Sequence, residues 1–337
     1  MTYKEIIEVA KDCMGFCKAC IICNGKVCKN SMPGPGAKGI GDVAIRNYYK
    51  WREIRLNMDT IAENKDVDTS FELFGKKFKY PIFAGPVGAV QLHYGDKYTE
   101  EEYNNIMLKS CNDSGIASFT GDGVNPNVMI AATNMIKKQN GMGIPTVKPW
   151  NIDIIKEKMK LVADSNAFAV AMDIDGAGLP FLKNLTPKAG SKTVEELREI
   201  KEIANRPFII KGIMTAKGAI KARESGADAI IVSNHGGRVL DQCAATAEVL
   251  PEIVDAVGGT IKILVDGGIR SGADILKALG IGADGVVIAR TFVIALYGGR
   301  EEGVKSYINQ LGAELEDAMT MCGVHSLKEI NRDVVRF

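Results

Sequence analysis

Short apolar runs alternate with stretches of helical periodicity over most of this chain. From residue 81 onward the apolar runs span 81–86, 115–119, 145–149, 167–173, 207–212, 229–234, 261–268 and 285–290. Apolar residues three or four positions apart mark helices between them, at 99–114, 151–164, 194–204, 215–225, 244–257 and 271–279. Eight strands that alternate with helices predict a parallel (β/α)8 TIM barrel, and an open doubly wound α/β sheet is the competing arrangement.

The pattern changes before residue 81, so we predict two parts. Residues 1–80 form an N-terminal extension that packs on the barrel, and residues 81–337 form the barrel itself. The extension contains an amphipathic helical pattern at 1–12, a glycine-rich stretch at 32–41 and a hairpin or strand at 71–80. A long helical pattern at 301–322 is expected to cover the bottom of the barrel.

Composition limits the partners of the chain. Its 337 residues carry 42 Lys and Arg against 41 Asp and Glu, which gives a net charge of +1. Because the charges are almost balanced, the chain has no broad electrostatic field that would attract nucleic acid or an anionic membrane surface. No apolar run approaches the roughly 20 residues that span a bilayer. We therefore expect a cytoplasmic protein whose partners are small molecules or other proteins.

The most informative motif, SNHGGRVLD at 233–241, follows the sixth apolar run directly. In a barrel this places His235 and Arg238 at the carboxyl end of a strand, where ligands bind. A histidine can take a proton near neutral pH, and an arginine can hold a carboxylate through two parallel hydrogen bonds. Such a pair can also cap a loop, but the adjacent Gly236 and Gly237 let the backbone approach a ligand. The motif favours oxidation of a 2-hydroxy acid.

Two later strand ends have the features of an anion site. The residues concerned are Asp266, Gly267, Gly268 and Arg270 after the seventh run and Ala289 and Arg290 after the eighth. A glycine turn, a following helix and two arginines form the kind of phosphate site that barrels build after strands 7 and 8, although the glycines also suit an ordinary connecting turn. Lys148 and Lys211 end two other runs and can bring positive charge to the barrel mouth.

Four motifs together resemble the FMN-dependent 2-hydroxy acid oxidase and dehydrogenase family, which includes glycolate oxidase, lactate oxidase and flavocytochrome b2. They are IIKG at 209–212, SNHGGRVLD at 233–241, DGGIRSG at 266–272 and CGVHSLKEI at 322–330. The resemblance implies an FMN-binding barrel that oxidises a small L-2-hydroxy acid, such as lactate, to the 2-oxo acid. It also implies a homotetramer. This chain is then a short form of the family with a cysteine-rich amino terminus.

The resemblance further implies roles for single residues. His235 is the catalytic base, Arg238 binds the substrate carboxylate and Asp173 supports the imidazolium. Lys211 lies near the flavin pyrimidine edge, with both a catalytic and a cofactor-binding role. The other cofactor-binding residues that we predict are Pro86, Val87, Gly88, Thr120, Lys148, Ser233, Asp266, Gly267, Gly268, Arg270, Ala289 and Arg290. The carbon-bound hydrogen would leave as hydride to flavin N5, with a carbanion route as the alternative.

The chain also departs from the family pattern around the substrate. Where family members usually have a glutamine and, two residues on, a tyrosine, this chain has Lys148 and Trp150. The second arginine expected after Asp173 is absent from residues 173–178, and the amino-terminal substrate tyrosine has no clear counterpart. We interpret His93 and His325, the other two histidines, as structural.

Two other function classes stay open at this point. One is an FMN-dependent isomerase of the type 2 isopentenyl diphosphate isomerase kind, which shares the barrel and the cofactor but performs no net oxidation. The other is a flavin and cysteine redox protein or metal sensor without catalysis. Neither requires His235 together with Arg238, so flavin reduction by a 2-hydroxy acid distinguishes them from the oxidoreductase.

Five of the eight cysteines are concentrated near the amino terminus, at Cys13, Cys17, Cys20, Cys23 and Cys28. A disulfide framework is typical of short secreted chains, which this is not. Cys17, Cys20, Cys23 and Cys28 have spacing that suits a [4Fe-4S] cluster or a zinc ion, with Cys13 as an alternative ligand, and reduced thiols without metal are the third possibility. A cluster would pass electrons to an external acceptor, such as a redox protein, that the sequence does not identify.

Overall fold

The computed structural model describes residues 1–179, 182, 184, 185 and 189–337, and its centre is a closed barrel. The strands are β1 (Arg55–Leu56), β2 (Phe71–Leu73), β3 (Lys76–Phe78), β4 (Ile82–Ala84), β5 (Ala117–Thr120), β6 (Ile144–Val147), β7 (Val170–Asp173), β8 (Phe208–Ile213), β9 (Ala229–Val232), β10 (Lys262–Asp266), β11 (Gly285–Ile288) and β12 (Val335–Arg336). Strands β4 to β11 pair in parallel in chain order, and β11 closes the ring onto β4. The predicted TIM barrel is confirmed, and the open sheet is excluded.

Helices separate the barrel strands. Those of the described residues are α1 (Tyr3–Cys13), α2 (Asp42–Glu53), α3 (Val90–Tyr94), α4 (Glu100–Asp113), α5 (Pro126–Lys138), α6 (Ile152–Asp164), α7 (Val194–Ala204), α8 (Ala216–Glu224), α9 (Thr246–Val257), α10 (Gly272–Ile281) and α11 (Arg290–Met321). Sequence analysis did not single out α5. Its start is nevertheless encoded, because the Asn125 side chain accepts a hydrogen bond from Asn127 N and Pro126 occupies the first turn.

A hairpin closes the amino-terminal end of the barrel. Strands β2 and β3 pair antiparallel and bring Phe71 and Phe78 together with Phe83, which lies inside the barrel on β4. The ring centroids of Phe78 and Phe83 are 5.4 Å apart in an edge-to-face arrangement. These rings continue the core of the barrel interior, so the carboxyl-terminal mouth is the end left for ligands.

The long C-terminal helix does not cover the barrel bottom as predicted. Helix α11 begins directly after β11, bends at Arg300, where φ is 49°, and packs against α1, α4 and α10. Its buried face includes Phe292, Tyr297 and Leu311, which join the layer outside the strands. The hairpin has already filled the bottom, so the helix seals the outer face instead.

The first forty residues reach the barrel mouth. Helix α1 begins with a capping box between Thr2 and Glu5 and packs on α11. The glycine-rich segment, residues 32–41, then crosses the carboxyl ends of the strands, where Lys38 N donates to Gly237 O. The boundary at residue 80 stays a prediction. No helix in the described part of the chain is both long and apolar enough to cross a membrane.

Candidate active site

A cavity of about 790 Å³ opens at the carboxyl ends of the barrel strands. Most residues that sequence analysis assigned to the site line it, namely Pro86, Val87, Gly88, Lys148, Asp173, Lys211, His235, Arg238, Asp266, Gly267, Gly268, Arg270, Ala289 and Arg290. Thr120 and Ser233 are buried beside it at the ends of β5 and β9. The topology therefore brings residues more than two hundred positions apart into one place.

His235 is fixed by its backbone and by a carboxylate. It follows β9 in a left-handed conformation, with φ of 56°, and its backbone N donates to Ser233 Oγ at 3.1 Å. Such a conformation is uncommon outside glycine and is maintained where the surroundings determine it. The ring Nδ1 lies 3.1 Å from Asp175 Oδ1. Because a carboxylate only accepts, Nδ1 carries the proton and Nε2 is the free base.

The carboxylate bonded to His235 is therefore Asp175 and not Asp173, to which sequence analysis gave this role. Asp173 ends β7 and pairs instead with Lys148, whose Nζ lies 3.0 Å from Asp173 Oδ2. A 3-10 turn over Ile174–Gly178 follows and directs Asp175 to the ring. Asp173 still lies close to the imidazole, since ligand atoms of Asp173, Asp175 and His235 are all within 4.8 Å of one another.

Burial and charge set the protonation states of this group. Burial lowers the pKa of His235, Lys211 lowers it further, and together they outweigh Asp175, so the pKa lies below the ordinary 6.5. Burial alone would raise the pKa of Asp175, but Lys211, the hydrogen bond from His235 and Lys148 overcome it and the pKa is lowered. A neutral imidazole beside an ionised carboxylate is the state required of a general base at neutral pH.

Lys211 is a buried cation held by carboxylates. Its side chain on β8 is 3% exposed, and its Nζ lies 3.6 Å from Asp266 Oδ2. Burial acts to lower the pKa of Lys211, but Asp175, Asp266 and Asp173 outweigh burial and raise it. Ser233 Oγ donates to the same Asp266 oxygen at 2.9 Å. The charge on Lys211 is thus permanent at neutral pH and lies at the base of the cavity.

Arg238 is held by the glycine-rich segment. Its Nη1 donates to Gly34 O at 2.6 Å and to Gly36 O at 2.9 Å. In the described part of the chain both bonds come from Nη1, so Nε and Nη2 can still bind a carboxylate. The glycine-rich segment therefore fixes the guanidinium in position.

His93 lies in the cavity, although sequence analysis interpreted it as structural. Its Nδ1 accepts a hydrogen bond from Gly34 N at 3.1 Å. Burial lowers the pKa of His93 to about 4, and the nearby cations of Arg238 and Lys148 act in the same direction. The ring is consequently neutral and anchors the glycine-rich segment over the site. No motif in the sequence indicated this contact.

The residues predicted to bind phosphate also line the cavity. Gly267 and Gly268 have φ of 87° and 86°, which other residues rarely adopt. A Cβ on Gly268 would lie 2.0 Å from Asn47 O, so α2 packs tightly against this turn. Arg290 begins α11 and donates from Nη2 to Gly236 O at 2.9 Å. Two arginines, a glycine turn and two helix starts meet here.

Lys148 and Trp150 replace the family's usual glutamine and tyrosine, and a buried network explains their positions. Asp122 Oδ2 accepts from Trp150 Nε1 at 2.6 Å and from Lys148 N at 3.1 Å. Asp122 Oδ1 accepts from Lys158 Nζ at 2.6 Å. The indole is thereby turned into the protein. The role of Asp122 was not evident in the sequence, because Lys148, Trp150 and Lys158 are 26 to 36 residues away.

FMN fits this cavity on two observations. Several buried oxygens at the strand ends have no hydrogen-bond partner among the described residues, namely Thr120 Oγ1, Thr146 Oγ1, Asp173 Oδ1, Asp175 Oδ2 and Asp266 Oδ1. Buried polar atoms normally have partners, so these oxygens suit a polar ligand. The chain at Val87 and Gly88 also passes so close to Gly121 that a Cβ there would lie 2.3 Å from Gly88 N. The cavity wall at these residues is therefore formed by main chain, which suits the face of a flat ring system.

Comparison with known proteins agrees with this geometry. A family model described as FMN-dependent dehydrogenase matches residues 35–175 and 140–337. The chain belongs to the FMN-dependent dehydrogenase family. It is 45% identical over 317 residues to the 2-hydroxyacid oxidase of Dictyostelium discoideum, covering 86% of this chain and 81% of the relative. It is 46% identical over 325 residues to the peroxisomal (S)-2-hydroxyacid oxidase GLO3 of Arabidopsis thaliana, covering 86% and 87%.

Solved structures of FMN-dependent dehydrogenase relatives have the same fold. Mandelate oxidase with (S)-4-hydroxymandelic acid superposes with a TM-score of 0.80, at 21% identity, over 100% of this chain and 99% of that one. A flavocytochrome b2 variant with sulfite bound superposes with a TM-score of 0.76, at 24% identity, over 87% and 78%. The family resemblance and the FMN cofactor that we predicted are confirmed.

The structure separates Cys13 from the other predicted metal ligands. Its thiol donates to Tyr297 O at 3.2 Å and to Val9 O at 3.3 Å, as a cysteine at a helix end does. Cys17, Cys20, Cys23 and Cys28 are half-buried free thiols. Arg270 links them to the cavity, since its Nε donates to Cys23 O at 3.0 Å and its Nη2 lies 3.6 Å from Cys23 Sγ. The predicted phosphate arginine thus contacts the cysteine region as well.

Proposed function

We propose that the protein oxidises a small L-2-hydroxy acid to the 2-oxo acid with FMN as the electron acceptor. The observation that carries this proposal is that His235, Arg238 and Lys211 line one cavity together with Arg270 and Arg290. The names of relatives in the family, 2-hydroxyacid oxidase and L-lactate dehydrogenase, support it. Isomerisation without net oxidation would use neither the base nor the carboxylate clamp.

The residues of the chain divide the chemistry between them. Arg238 binds the substrate carboxylate through Nε and Nη2, and its bonds to Gly34 and Gly36 keep that fork in place. His235 takes the hydroxyl proton on Nε2, and Asp175 stabilises the imidazolium that results. FMN, when bound, supplies a two-electron acceptor for the hydrogen on the substrate carbon. Pro86 to Gly88, Lys211 and the two arginines are the residues that would hold it.

We propose lactate as the representative substrate. A second substrate arginine is absent from residues 173–178, so Arg238 alone would bind the carboxylate. One arginine is sufficient to orient a short acid. Met32, Pro33 and Leu179 add apolar surface to the cavity wall, which suits a methyl or other small alkyl group. Larger acids test the limit of this wall.

The assembly, the acceptor and the location are further proposals. A homotetramer follows from the family resemblance, and light scattering measures its mass directly. The electron acceptor that we propose is a one-electron redox protein, served by a metal centre in the cysteine-rich amino terminus. A reducing, cytoplasmic location is supported by the eight cysteines, which are all free thiols in the structure.

A product assay tests the proposed function. Purified protein with added FMN is given L-lactate, glycolate, L-2-hydroxybutyrate or L-mandelate and a dye acceptor, and the 2-oxo acid is quantified against dye reduced. We expect one 2-oxo acid per two electrons for at least the small acids. Arg238→Lys is the matched variant, because it keeps the charge but loses the planar fork, and KM should rise at least tenfold. No 2-oxo acid from any acid would contradict the proposal.

A further inference from the structure

The cysteine segment, residues 13–28, is not explained by 2-hydroxy acid oxidation. Between the end of α1 at Cys13 and the start of α2 at Asp42, the chain forms bends and turns but no helix or strand. Stretches of this length without secondary structure are uncommon in a compact protein and are usually functional. Something other than backbone ladders must therefore hold this segment in one conformation.

Little of the cysteine segment is buried apolar surface. Met14 and Ala19 pack into the core, but Ile21, Ile22 and Val27 are 66%, 56% and 63% exposed. Cys17, Cys20, Cys23 and Cys28 are half-buried. Apolar burial therefore holds the beginning of the segment and contributes little from Cys20 onward. Small elements of this kind are commonly held together by a bound metal instead.

The four thiols lie within one stretch of twelve residues, from Cys17 to Cys28, and all four are half-buried. Metal binding deprotonates thiols, and the positive charge of the metal offsets this cost. Cys13 does not belong to the group, because its thiol donates to Tyr297 O and Val9 O.

Redox chemistry distinguishes the two metals that the spacing allows. A zinc ion has no redox chemistry, so it would only hold the segment in one conformation. A [4Fe-4S] cluster bound by four cysteines exchanges single electrons. Only the cluster would add a function beside an FMN site.

The location of the segment also suits an anionic electron carrier. A cubane with four thiolates has a net negative charge, and Arg270 donates from Nη2 towards Cys23 Sγ at 3.6 Å. The Nε of Arg270 also donates to Cys23 O at 3.0 Å. Arg270 lines the cavity together with Arg290, next to the glycine turn that was predicted to bind phosphate. The cluster site therefore adjoins the FMN site.

We propose that Cys17, Cys20, Cys23 and Cys28 bind a [4Fe-4S] cluster that carries electrons out of the FMN site. The second half of this proposal rests on the proposed function, and the first does not. Each substrate molecule loses two electrons and two protons. The cluster accepts these electrons one at a time and passes each to one molecule of a one-electron carrier protein, so two carrier molecules are reduced. The two protons go to water.

The metal content of the anaerobically purified full-length protein tests the site without any substrate. We expect about four iron and four acid-labile sulfide per chain and an electron paramagnetic resonance signal after reduction with dithionite. One zinc per chain, or neither iron nor zinc, overturns the proposal. This result does not depend on whether a 2-hydroxy acid is oxidised, so it separates the cluster from the proposed function.

Cysteine variants test the ligand set. Cys20→Ser and Cys23→Ser should each lose at least half of the iron and sulfide, whereas Cys13→Ser, the matched control in the same segment, should retain both. FMN content reports whether each variant is folded. If Cys13→Ser loses the iron while Cys20→Ser and Cys23→Ser keep it, the ligand assignment is wrong.

The electron route has its own readout in the same variants. In Cys20→Ser, L-lactate should still reduce FMN at the unaltered rate, because His235 and Arg238 are untouched. Reoxidation by a one-electron carrier protein of higher potential, oxidised cytochrome c, should slow at least tenfold. Equal reoxidation in Cys20→Ser and the unaltered protein contradicts the route, and failure of FMN reduction in both proteins contradicts the proposed function instead.

Discussion

The imidazole of His235 depends on two neighbours that lie close to it in sequence or in space. Ser233 fixes the backbone from two residues away, and this could be anticipated from the motif around β9. Asp175 fixes the ring from sixty residues away. The family resemblance implied Asp173, which ends β7. The 3-10 turn after β7 changes which carboxylate reaches the ring, and a strand-end pattern does not encode that turn.

Asp175→Asn and Asp173→Asn form a matched pair that tests this assignment. Asp175→Asn should slow flavin reduction by about 10²-fold or more, since the amide cannot stabilise the imidazolium. Asp173→Asn should have a smaller effect on the rate, because its main partner is Lys148. Rapid-mixing absorbance measures both rates. A larger loss in Asp173→Asn would restore the original assignment.

The pH dependence of catalysis follows from the lowered pKa of His235. The base must be neutral to take the proton, and its pKa lies below 6.5 in the free protein. The value of kcat/KM should therefore rise with pH through a pKa below 6.5 and be level above about pH 7. Glu100→Gln is the control, because burial raises the pKa of this cavity carboxyl to about 7. A profile that shifts with Glu100→Gln would assign the titration to Glu100.

At the scale of elements, two short segments define the two ends of the barrel. The glycine-rich segment lies over the mouth and holds Arg238, and the β2–β3 hairpin fills the bottom. Both segments were recognisable in the sequence from their glycines and their alternation. Their contacts were not, because a loop that binds through backbone carbonyls leaves no side-chain pattern.

Gly36→Ala tests the segment over the mouth. A Cβ on Gly36 would lie 2.0 Å from Cys28 O and 2.7 Å from Ser31 O, so the chain must shift and the bond to Arg238 is lost. A hydrogen bond to a charged group contributes about 1.5–3 kcal/mol, so kcat/KM should fall about tenfold or more. FMN content should not change. Gly299→Ala, where a Cβ meets only ordinary contacts at 3.5 Å or more, should behave like the unaltered protein.

Phe78→Ala tests the hairpin. Phe78 is 4% exposed against Phe83 and Phe71, and removal of a buried ring costs about 3–5 kcal/mol. The urea midpoint of unfolding should therefore decrease clearly. The matched control is Phe337→Ala, whose ring is 71% exposed and whose loss should change the free energy of unfolding by less than about 0.5 kcal/mol. Equal midpoints in the two variants would mean that the hairpin does not support the barrel.

At the scale of the whole molecule, the barrel was predictable and the amino-terminal region was not. Each of the eight barrel strands overlaps one apolar run of the sequence and extends at most one residue beyond it, because strands covered on both faces are largely apolar. The predicted position of α11 at the barrel bottom was wrong, because a helical pattern indicates which face of a helix is buried but not which element covers that face. Likewise, cysteine spacing predicted a metal site, but only the fold shows that Cys23 lies beside Arg270.

The central claim, that this barrel takes electrons from a 2-hydroxy acid through His235, is tested most directly by an anaerobic absorbance spectrum. L-lactate is added to the FMN-loaded protein without any acceptor, and the flavin band near roughly 450 nm is followed. The band should bleach in the unaltered protein, whereas His235→Ala should keep its FMN and stay oxidised. Flavin that stays oxidised with every 2-hydroxy acid, or equal bleaching in His235→Ala, would contradict this account.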